Sequence, residues 1–537
     1  MYVKRIKIEG FKTFRKFSLD LNKCLNIIVG DNETGKTTLL EAINLVLSCQ
    51  LDGRNIQYEL NPYIFNVDMV KDYFNALREA RSPSPPHILI EAYLEDDESS
   101  EIAKLRGTNN SEGESCPGLK LSVELNEGFA DEFIEYFKTS ENPEIIPIEY
   151  YKVVWNDFGG NPVATRNLPF RAKIIDTSLV RGYLGPNKYV SRIIGDVLGD
   201  DQRLLSIAYR KMKHLFMEED GIKKINEHLA DKKGDVTSKK LTVSMDMSAR
   251  SRWESSITAH LDDIPFDSVG KGEQCRVQMK LAIEATDDSS VLLIEEPENH
   301  LSHSNMSRLI EEITQRGAQR QIVVATHSNF VLNKLGIDNV KLLSRNANPM
   351  IIDHLSPDTK EYFMKLPGYD TLRLILSAKT ILVEGPSDEL IVQKAYKAKH
   401  GKLPLDDGVD VISVGMSFKR FLEIGKLLKL NIRVVTDNDG SVKNLKEKFK
   451  DYLDDDNKVD NIKICYDSNE NYPTLEPQLL KANSLKVLNK VLGAAFESDD
   501  ALIAYMCDNK NKTDSALKVF NSVENLTFPE YINNAIE

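Results

Sequence analysis

The sequence predicts an α/β protein. Two observations carry the prediction: short apolar runs alternate with stretches of three- and four-residue helical spacing, and several of the runs stop at a glycine turn or a carboxylate. Runs that stop in this way suit a parallel sheet, whose carboxyl edge gathers ligand-binding side chains.

From the amino terminus, Val3 to Ile8, Phe17 to Leu21, Cys24 to Val29, Ile88 to Leu94, Leu119 to Leu125 and Tyr150 to Trp155 read as strands. Residues 95 to 118, "EDDESSEIAKLRGTNNSEGESCPG", have loop and turn composition. Between about 190 and 235 the apolar spacing predicts helices. A helical insert between strand-rich halves serves as a dimerisation or arm element, or simply as a helical layer. Beyond it come the apolar runs Val291 to Ile294 and Ile322 to Ala325 and the apolar strand of "ILVEGPSDE", residues 381 to 389.

With 537 residues, 41% of them hydrophobic, the chain is long enough for roughly three to four structural units. The opening "MYVKRIKIEG" alternates charge with apolar side chains, a strand pattern and not a signal peptide. No stretch approaches the ~20 apolar residues of a membrane span. Six scattered cysteines lack CxxC spacing, which argues against zinc or a disulfide framework. These features predict a soluble cytoplasmic protein with no membrane partner. A net charge of -13 gives no general attraction to nucleic acid, although local basic patches can still grip phosphate.

Three segments of the first half carry chemistry. In "NIIVGDNETGKTTLLEAI", the residues Gly30, Asp31, Asn32, Gly35, Lys36, Thr37 and Thr38 form a GxxxxGK[ST] phosphate loop between strand and helix. The glycines let backbone N–H groups wrap phosphates, Lys36 reaches the terminal phosphates, and Thr37 holds magnesium. The apolar run in "SSVLLIEEPENHL" ends in Glu295 and Glu296, one acid for the magnesium shell and one to orient and deprotonate water. "RQIVVATHSNF" ends a buried strand at Thr326 and His327; beside a phosphate loop, His327 reads as a sensor of the γ-phosphate.

The second half has its own pattern. "ILVEGPSDE" ends a strand at Glu384 and places Asp388 four residues on; "NIRVVTDNDG" ends a strand at Asp437 and Asp439. Two residues apart on an extended chain, these aspartates project to one side. Four carboxylates on one sheet edge repel unless cations neutralise them, and such hard oxygen donors suit Mg2+ or Mn2+.

In order, the "IEGFKTFRKFSLDL" hairpin, the phosphate loop, the glycine turn of "SVGKGEQCRVQMKLAIEA", the acid pair and the switch histidine resemble the ABC-type ATPase heads of SMC-like and RecF-like proteins. That family supplies a signature serine to a partner head's ATP; here Gly270, Lys271 and Gly272 occupy the stretch and Ser268 is the nearest serine. The later acids resemble the Toprim domain of topoisomerases, primases and certain nucleases. The order of the two units is similar to the overcoming-lysogenization-defect (OLD) family of ATP-dependent endonucleases. This resemblance implies an ATPase head in 1–165 and 256–365, a mainly helical dimerisation insert in 166–255 and a Toprim nuclease domain in 370–537. Glu476 of "YPTLEPQLL" matches a family acid that completes the second metal site, and Lys512 of "NKNKTDSALKVF" a family lysine near the scissile phosphate, with Lys510 the alternative counterpart.

The resemblance further implies two-metal DNA hydrolysis, with Glu384 and Asp388 on one ion and Asp437, Asp439 and Glu476 on the other. A further ion would accompany ATP, whose state would regulate cutting. It implies homodimers or tetramers through the heads, and antiphage defence beside a helicase or a retron reverse transcriptase with its msDNA. The competing reading is an SMC- or RecF-like DNA repair ATPase whose Toprim half binds DNA without cutting.

Overall fold

The computed structural model describes residues 2–537 apart from 52–53, 80, 96–99, 140–143, 165–167, 169–171, 177–200, 232–240, 246–258, 285–290, 300, 318–319, 345–346, 352–354, 367–369 and 454–458. The chain forms two compact units: residues 1–26 with 35–326, and residues 27–34 with 327–537.

In the first unit an antiparallel sheet is built on the amino-terminal hairpin, Val3–Phe11 and Phe14–Asp20, in register from Arg5 opposite Asp20 to Phe11 opposite Phe14. Ile88–Leu94 pairs with the first strand, Cys116–Leu125 with Ile88–Leu94, and Tyr151–Asp157 with Cys116–Leu125. Alternating side chains of the first strand are buried: Ile6 and Ile8 face the core, while Arg5 and Lys7 pair with Glu112. Helix Lys36–Ser48 buries Leu39, Leu40, Ile43 and Val46, and Trp155 Nε1 donates to Val46 O at 2.9 Å. A second set of strands in this unit is parallel: Ala172–Asp176, Val291–Glu295 and Gln321–Ala325, with Asp176, Glu295 and Ala325 in one register. Gln321 ties this layer to the hairpin, since its amide exchanges hydrogen bonds with both Val3 N and Val3 O at 2.9 Å.

The predicted loop at 95–118 is interrupted by a short helix, Ser100–Ala103, and a two-residue strand, Arg106–Gly107, which pairs with Cys116 and Pro117. Of the predicted helical insert, Gln202–Glu218 and Asp220–Asp231 are helices; its remaining calls at 190–200 and 232–235 lie outside the described residues.

In the second unit, Ile27–Gly30 run parallel to Val340–Leu343. Its larger part is a four-stranded parallel sheet in the order Val409–Ser413, Lys379–Val383, Ile432–Val435, Ile462–Cys465. The first strand in sequence lies second in space, so the order reverses beside it. That reversal opens a crevice at the carboxyl ends of Lys379–Val383 and Ile432–Val435. Ile381, Val383, Val411 and Val435 bury their side chains against helices Pro386–His400 and Leu475–Ala482. Among the described residues, no helix is long and apolar enough to cross a membrane.

Candidate functional site

The phosphate loop has the local geometry its sequence calls for. Strand Leu25–Gly30 runs into residues 31–35, and helix Lys36–Ser48 follows directly. Gly35 sits at φ 98°, where a Cβ would come within 2.7 Å of Phe14 Cζ and Thr13 Oγ1, so a side chain is excluded by both conformation and space. At Gly30 an added Cβ would meet Thr34 Oγ1 at 2.5 Å and Leu343 O at 2.7 Å. Thr34 closes the turn by donating its hydroxyl to Asp31 O at 2.8 Å. Asp31 and Asn32 are exposed, whereas Lys36 and Thr38 are buried at the helix start.

Thr37 donates its hydroxyl directly to Glu295, the last residue of its strand. The two groups expected to share a magnesium ion therefore meet side by side. Glu296 follows at a left-handed φ of 44°, with its N–H on Ala325 O at 2.8 Å and its carboxylate accepting from Asn299 Nδ2 at 2.7 Å. Thr326 binds both carboxylate oxygens of Glu298 at 2.9 Å, and exposed His327 follows it. In the signature stretch, Gly270 O caps helix Lys271–Glu284 by accepting from Glu273 and Gln274 N–H at 3.0 Å, with Gly272 in the first turn. Buried Gln274 braces the preceding turn by donating Nε2 to Phe266 O at 2.7 Å and Val269 O at 2.8 Å. Ser268 lies in that turn.

The second constellation lies at the crevice of the four-stranded sheet. Glu384 follows strand Lys379–Val383, and Thr436 follows Ile432–Val435; the buried Thr436 hydroxyl donates to Glu384 Oε1 at 2.7 Å across the crevice. Asp388 lies in the first turn of helix Pro386–His400 and accepts the Gly385 N–H at 3.0 Å. Asp437 accepts the Leu475 N–H at 3.3 Å. One residue further on, Glu476 is buried and ion-paired to Lys512 at 3.2 Å, with Cys507 Sγ 3.7 Å from its other oxygen.

The electrostatics follow from crowding. Burial pushes Asp388 up to about 6, and the Glu384 charge pushes the same way, against Lys512. Burial also pushes Asp437 up to about 8, reinforced by Asp388, Glu384 and Glu476. Lys512 is raised: its burial opposes the shift, and the attraction of Glu476 leads the causes that favour it. The acids thus stand close enough to suppress one another's ionisation, the signature of a donor set short of positive charge.

Asp439 departs from the expected arrangement. The strand ends at Val435, and Asp439 takes a left-handed φ of 51°, so the extended-chain spacing that was to align it with Asp437 does not hold. Buried Asn438 sets this turn by donating Nδ2 to Asp467 O at 2.9 Å and Asn469 O at 3.0 Å, and Asp439 is left exposed. Among the described residues no three His, Cys, Asp or Glu side chains converge on one point as a metal cluster; Thr436 holds Glu384 and Lys512 holds Glu476 instead. Lys510 is exposed two residues before the paired Lys512. Sequence reasoning missed Thr436, whose position between a strand end and Asp437 was the available signal.

A model of the AAA ATPase domain matches residues 1–155, and an AAA domain model matches 254–333. The TOPRIM domain of overcoming lysogenization defect protein-like proteins matches 375–439. These matches give an AAA ATPase domain, implying a bound nucleotide with a divalent metal, followed by a TOPRIM domain. This pairing matches the ATPase–Toprim arrangement of overcoming lysogenization defect protein-like proteins.

RecF, the DNA replication and repair protein of Clostridium beijerinckii, is 42% identical over 43 residues, 8% of this chain and 12% of its own. A structural maintenance of chromosomes protein 3 homolog of Plasmodium falciparum is 41% identical over 49 residues, 9% of this chain and 4% of its own. The matched stretch spans about an eighth of the length of the RecF relatives. The SMC head domain from Thermotoga maritima covers 66% of this chain and 100% of its own at 14% identity and a TM-score of 0.29. For the RecF–ATP structure the values are 65%, 99%, 11% and 0.34.

Proposed function

We propose that this chain is an ATP-regulated, divalent-metal-dependent DNA endonuclease that serves bacterial antiphage defence. The observation that carries the reading is that Glu384, Asp388, Asp437, Glu476 and Lys512 act on one another's charge at the carboxyl ends of the sheet, with burial holding Asp388 and Asp437 well above the usual carboxylate range. Such a donor set fits Mg2+ or Mn2+.

Glu384 and Asp388 would hold one ion, and Asp437, Asp439 and Glu476 the other. Asp439 would have to swing in from its exposed turn. When bound, the pair supplies an activated water and stabilises the leaving oxygen. Thr436 fixes the Glu384 carboxylate, and Gly385 N–H fixes Asp388. Lys512 offsets charge that develops on the phosphate. In the ATPase unit, Gly30 to Thr38 would cradle the phosphates, Thr37 and Glu295 would hold the accompanying ion, Glu296 would orient water and His327 would sense the γ-phosphate. Gly270 and Gly272 would face the nucleotide of a second head in a homodimer or tetramer. A helicase, or a retron reverse transcriptase with msDNA, would be its defence partner.

The loose placement of the acids favours a second reading, in which the Toprim unit binds DNA without cutting. Incubation with plasmid and linear DNA, with Mg2+ or Mn2+ and with or without ATP, decides between them. Metal-dependent cleavage that Glu384→Ala abolishes is the expected result; ATP hydrolysis with no cleavage under any condition sinks the nuclease.

A further inference from the structure

Helix Asn329–Leu335 joins two parts of the nucleotide site. It starts two residues after His327, and Ser328 Oγ caps it by accepting the Val331 N–H at 3.3 Å. It stops at Gly336, whose φ of 102° turns the chain toward strand Val340–Ser344. In that strand Leu343 lies in register with Gly30 of the phosphate loop. His327, the helix, this strand pair and the Toprim sheet all belong to the second unit.

Two asparagines fasten the helix to the next one, Thr371–Leu376. Asn329 Oδ1 accepts the Leu372 N–H at 2.7 Å, and its Nδ2 donates to Asp370 Oδ1 at 3.3 Å. Asn333 Oδ1 accepts the Thr371 hydroxyl at 2.7 Å, with both residues fully buried. Apolar packing alone would let the two helices slide. Here a slide strands a buried amide and a buried hydroxyl, which is costly, so the helices move as one body.

Arg373 extends the connection to the Toprim sheet. Its Nη1 donates to Asp370 at 3.0 Å, while Nε and Nη2 donate to Asp410 Oδ1 at 3.2 and 2.9 Å. The Ser377 hydroxyl holds the other oxygen of Asp410 at 2.5 Å. Asp410 lies in strand Val409–Ser413, opposite Thr380 of Lys379–Val383. At the far end of this strand pair, Glu384 O accepts the Gly415 N–H at 3.0 Å and the Ser413 hydroxyl at 3.3 Å. A series of hydrogen bonds thus runs from the helix behind His327 to the backbone of Glu384.

We propose that this relay sets the position of Glu384 according to the nucleotide bound. A shift of His327 on the γ-phosphate moves the helix, the asparagines carry its neighbour along, and Arg373 passes the movement through Asp410 to the strand pair. Packed elements of this kind switch between discrete arrangements and do not bend gradually. The relay rests on the reading of His327 as the γ-phosphate sensor and of Glu384 as a metal ligand in an ATP-regulated nuclease.

The test is hydrogen exchange of the full chain, read by mass spectrometry in Mg2+ with and without a non-hydrolysable ATP analogue. In the wild type the analogue should change exchange in residues 328–336 and also in 379–388 and 409–417. Asn329→Ala and Arg373→Lys cut the relay at two part-buried points; the lysine keeps the charge but cannot hold Asp370 and Asp410 together. Each variant should keep its ATP affinity and the response of 328–336, which also shows that it is folded, and lose the response of 379–388 and 409–417. The double variant should lose no more than either single one, because both cuts lie on one path. A wild type whose 379–388 exchange ignores the nucleotide, or variants that respond as the wild type does, overturn the relay. Loss of the 328–336 response as well overturns it too, since the contacts would then belong to nucleotide binding itself. Plasmid cleavage is read in parallel and should run at one rate with and without ATP in both variants. Cleavage whose ATP dependence survives in the variants removes the relay and leaves the nuclease, whereas relayed exchange without cleavage removes the nuclease and leaves the relay.

Discussion

Lys512 Nζ stands 3.2 Å from Oε1 of Glu476, a carboxylate only 5% exposed. The lysine opens helix Lys512–Asn521, and its position brings the one cation that acts on Asp388 and Asp437 among the described groups to the acid cluster. Lys510, on the turn just before, is exposed, and its backbone N–H donates to Asp508 Oδ1 at 2.9 Å. The pairing therefore favours Lys512 over Lys510 as the phosphate-facing lysine. Lys512→Met is expected to lower the rate of DNA cleavage by about 10²–10³-fold, the usual loss on removal of one group that stabilises developing charge. Lys510→Met should stay within a few-fold of wild type. Initial rates of plasmid nicking decide the matter, and equal losses in the two variants would contradict the assignment.

Glu384 is held by a neighbour that lies outside the proposed set of metal ligands. Thr436→Val keeps the shape of the side chain and removes the hydroxyl that holds Glu384 Oε1 at 2.7 Å. Loss of a partner that orients a metal ligand typically costs ~10–100-fold in metal affinity or activity. The expected outcome is a cleavage curve shifted to higher Mn2+ concentration, with the maximal rate largely recovered. Glu384→Ala and Asp437→Ala should instead abolish cleavage at every Mn2+ concentration and leave ATP affinity intact. A Thr436→Val curve that overlays the wild type would show the contact to be idle.

The ATPase unit separates binding from hydrolysis. Lys36→Ala removes the cation expected at the terminal phosphates, so nucleotide affinity should fall below detection. Glu296→Gln should bind ATP normally and hydrolyse it about 10²–10⁴-fold more slowly, the contribution of a positioned general base. Its carboxylate is already held by Asn299 at 2.7 Å, which an amide can still satisfy. Calorimetric titration with ATP and phosphate release measure the two effects. Unchanged affinity in Lys36→Ala would refute the phosphate-loop role.

Gly35→Ala tests the loop's backbone. The new Cβ would sit 2.7 Å from both Phe14 Cζ and Thr13 Oγ1, at a φ of 98° that disfavours any side chain. The hairpin or the loop must shift. Tenfold or greater loss of ATP affinity is expected, together with a lower Tm. Wild-type values for both would mean that the loop adopts another conformation when nucleotide binds.

Much of this site was legible in the sequence because its chemistry is local. GxxxxGK[ST] specifies a strand, a turn and a helix start within one short segment, and the turn glycines are the ones whose conformation and space demand glycine. Glu384 was legible as a strand-end carboxylate, and the fold sets it at the crevice within reach of Thr436. Asp439 was not, because the period-2 rule assumes an extended chain, and Asn438 bends this one through two long-range hydrogen bonds to Asp467 and Asn469. Thr436 was hidden for a related reason. Threonine is ordinary anywhere, and only the folded sheet brings Thr436 across to Glu384.

The crowded acids make a pH prediction whose sign is fixed. In the folded chain Asp388 and Asp437 stand at about 6 and about 8, both above their ordinary value of 3.8. A group raised on folding contributes stability that is whole below its unfolded value and is lost as pH rises through the folded one. Metal-free protein should therefore lose stability as pH climbs from about 4 to about 8. Asp437→Asn, permanently neutral, should lose less over the same range and be the more stable of the two near pH 8. Divalent cations favour the ionised acids, so Mn2+ should raise the wild-type Tm more at about pH 8 than at about pH 5, and should do little for Asp437→Asn. Thermal melts of both proteins at the two pH values, in chelator and in Mn2+, give the comparison. Parallel slopes for wild type and variant in chelator would show that Asp437 ionises freely in the fold and that the carboxylates do not share one electrostatic site.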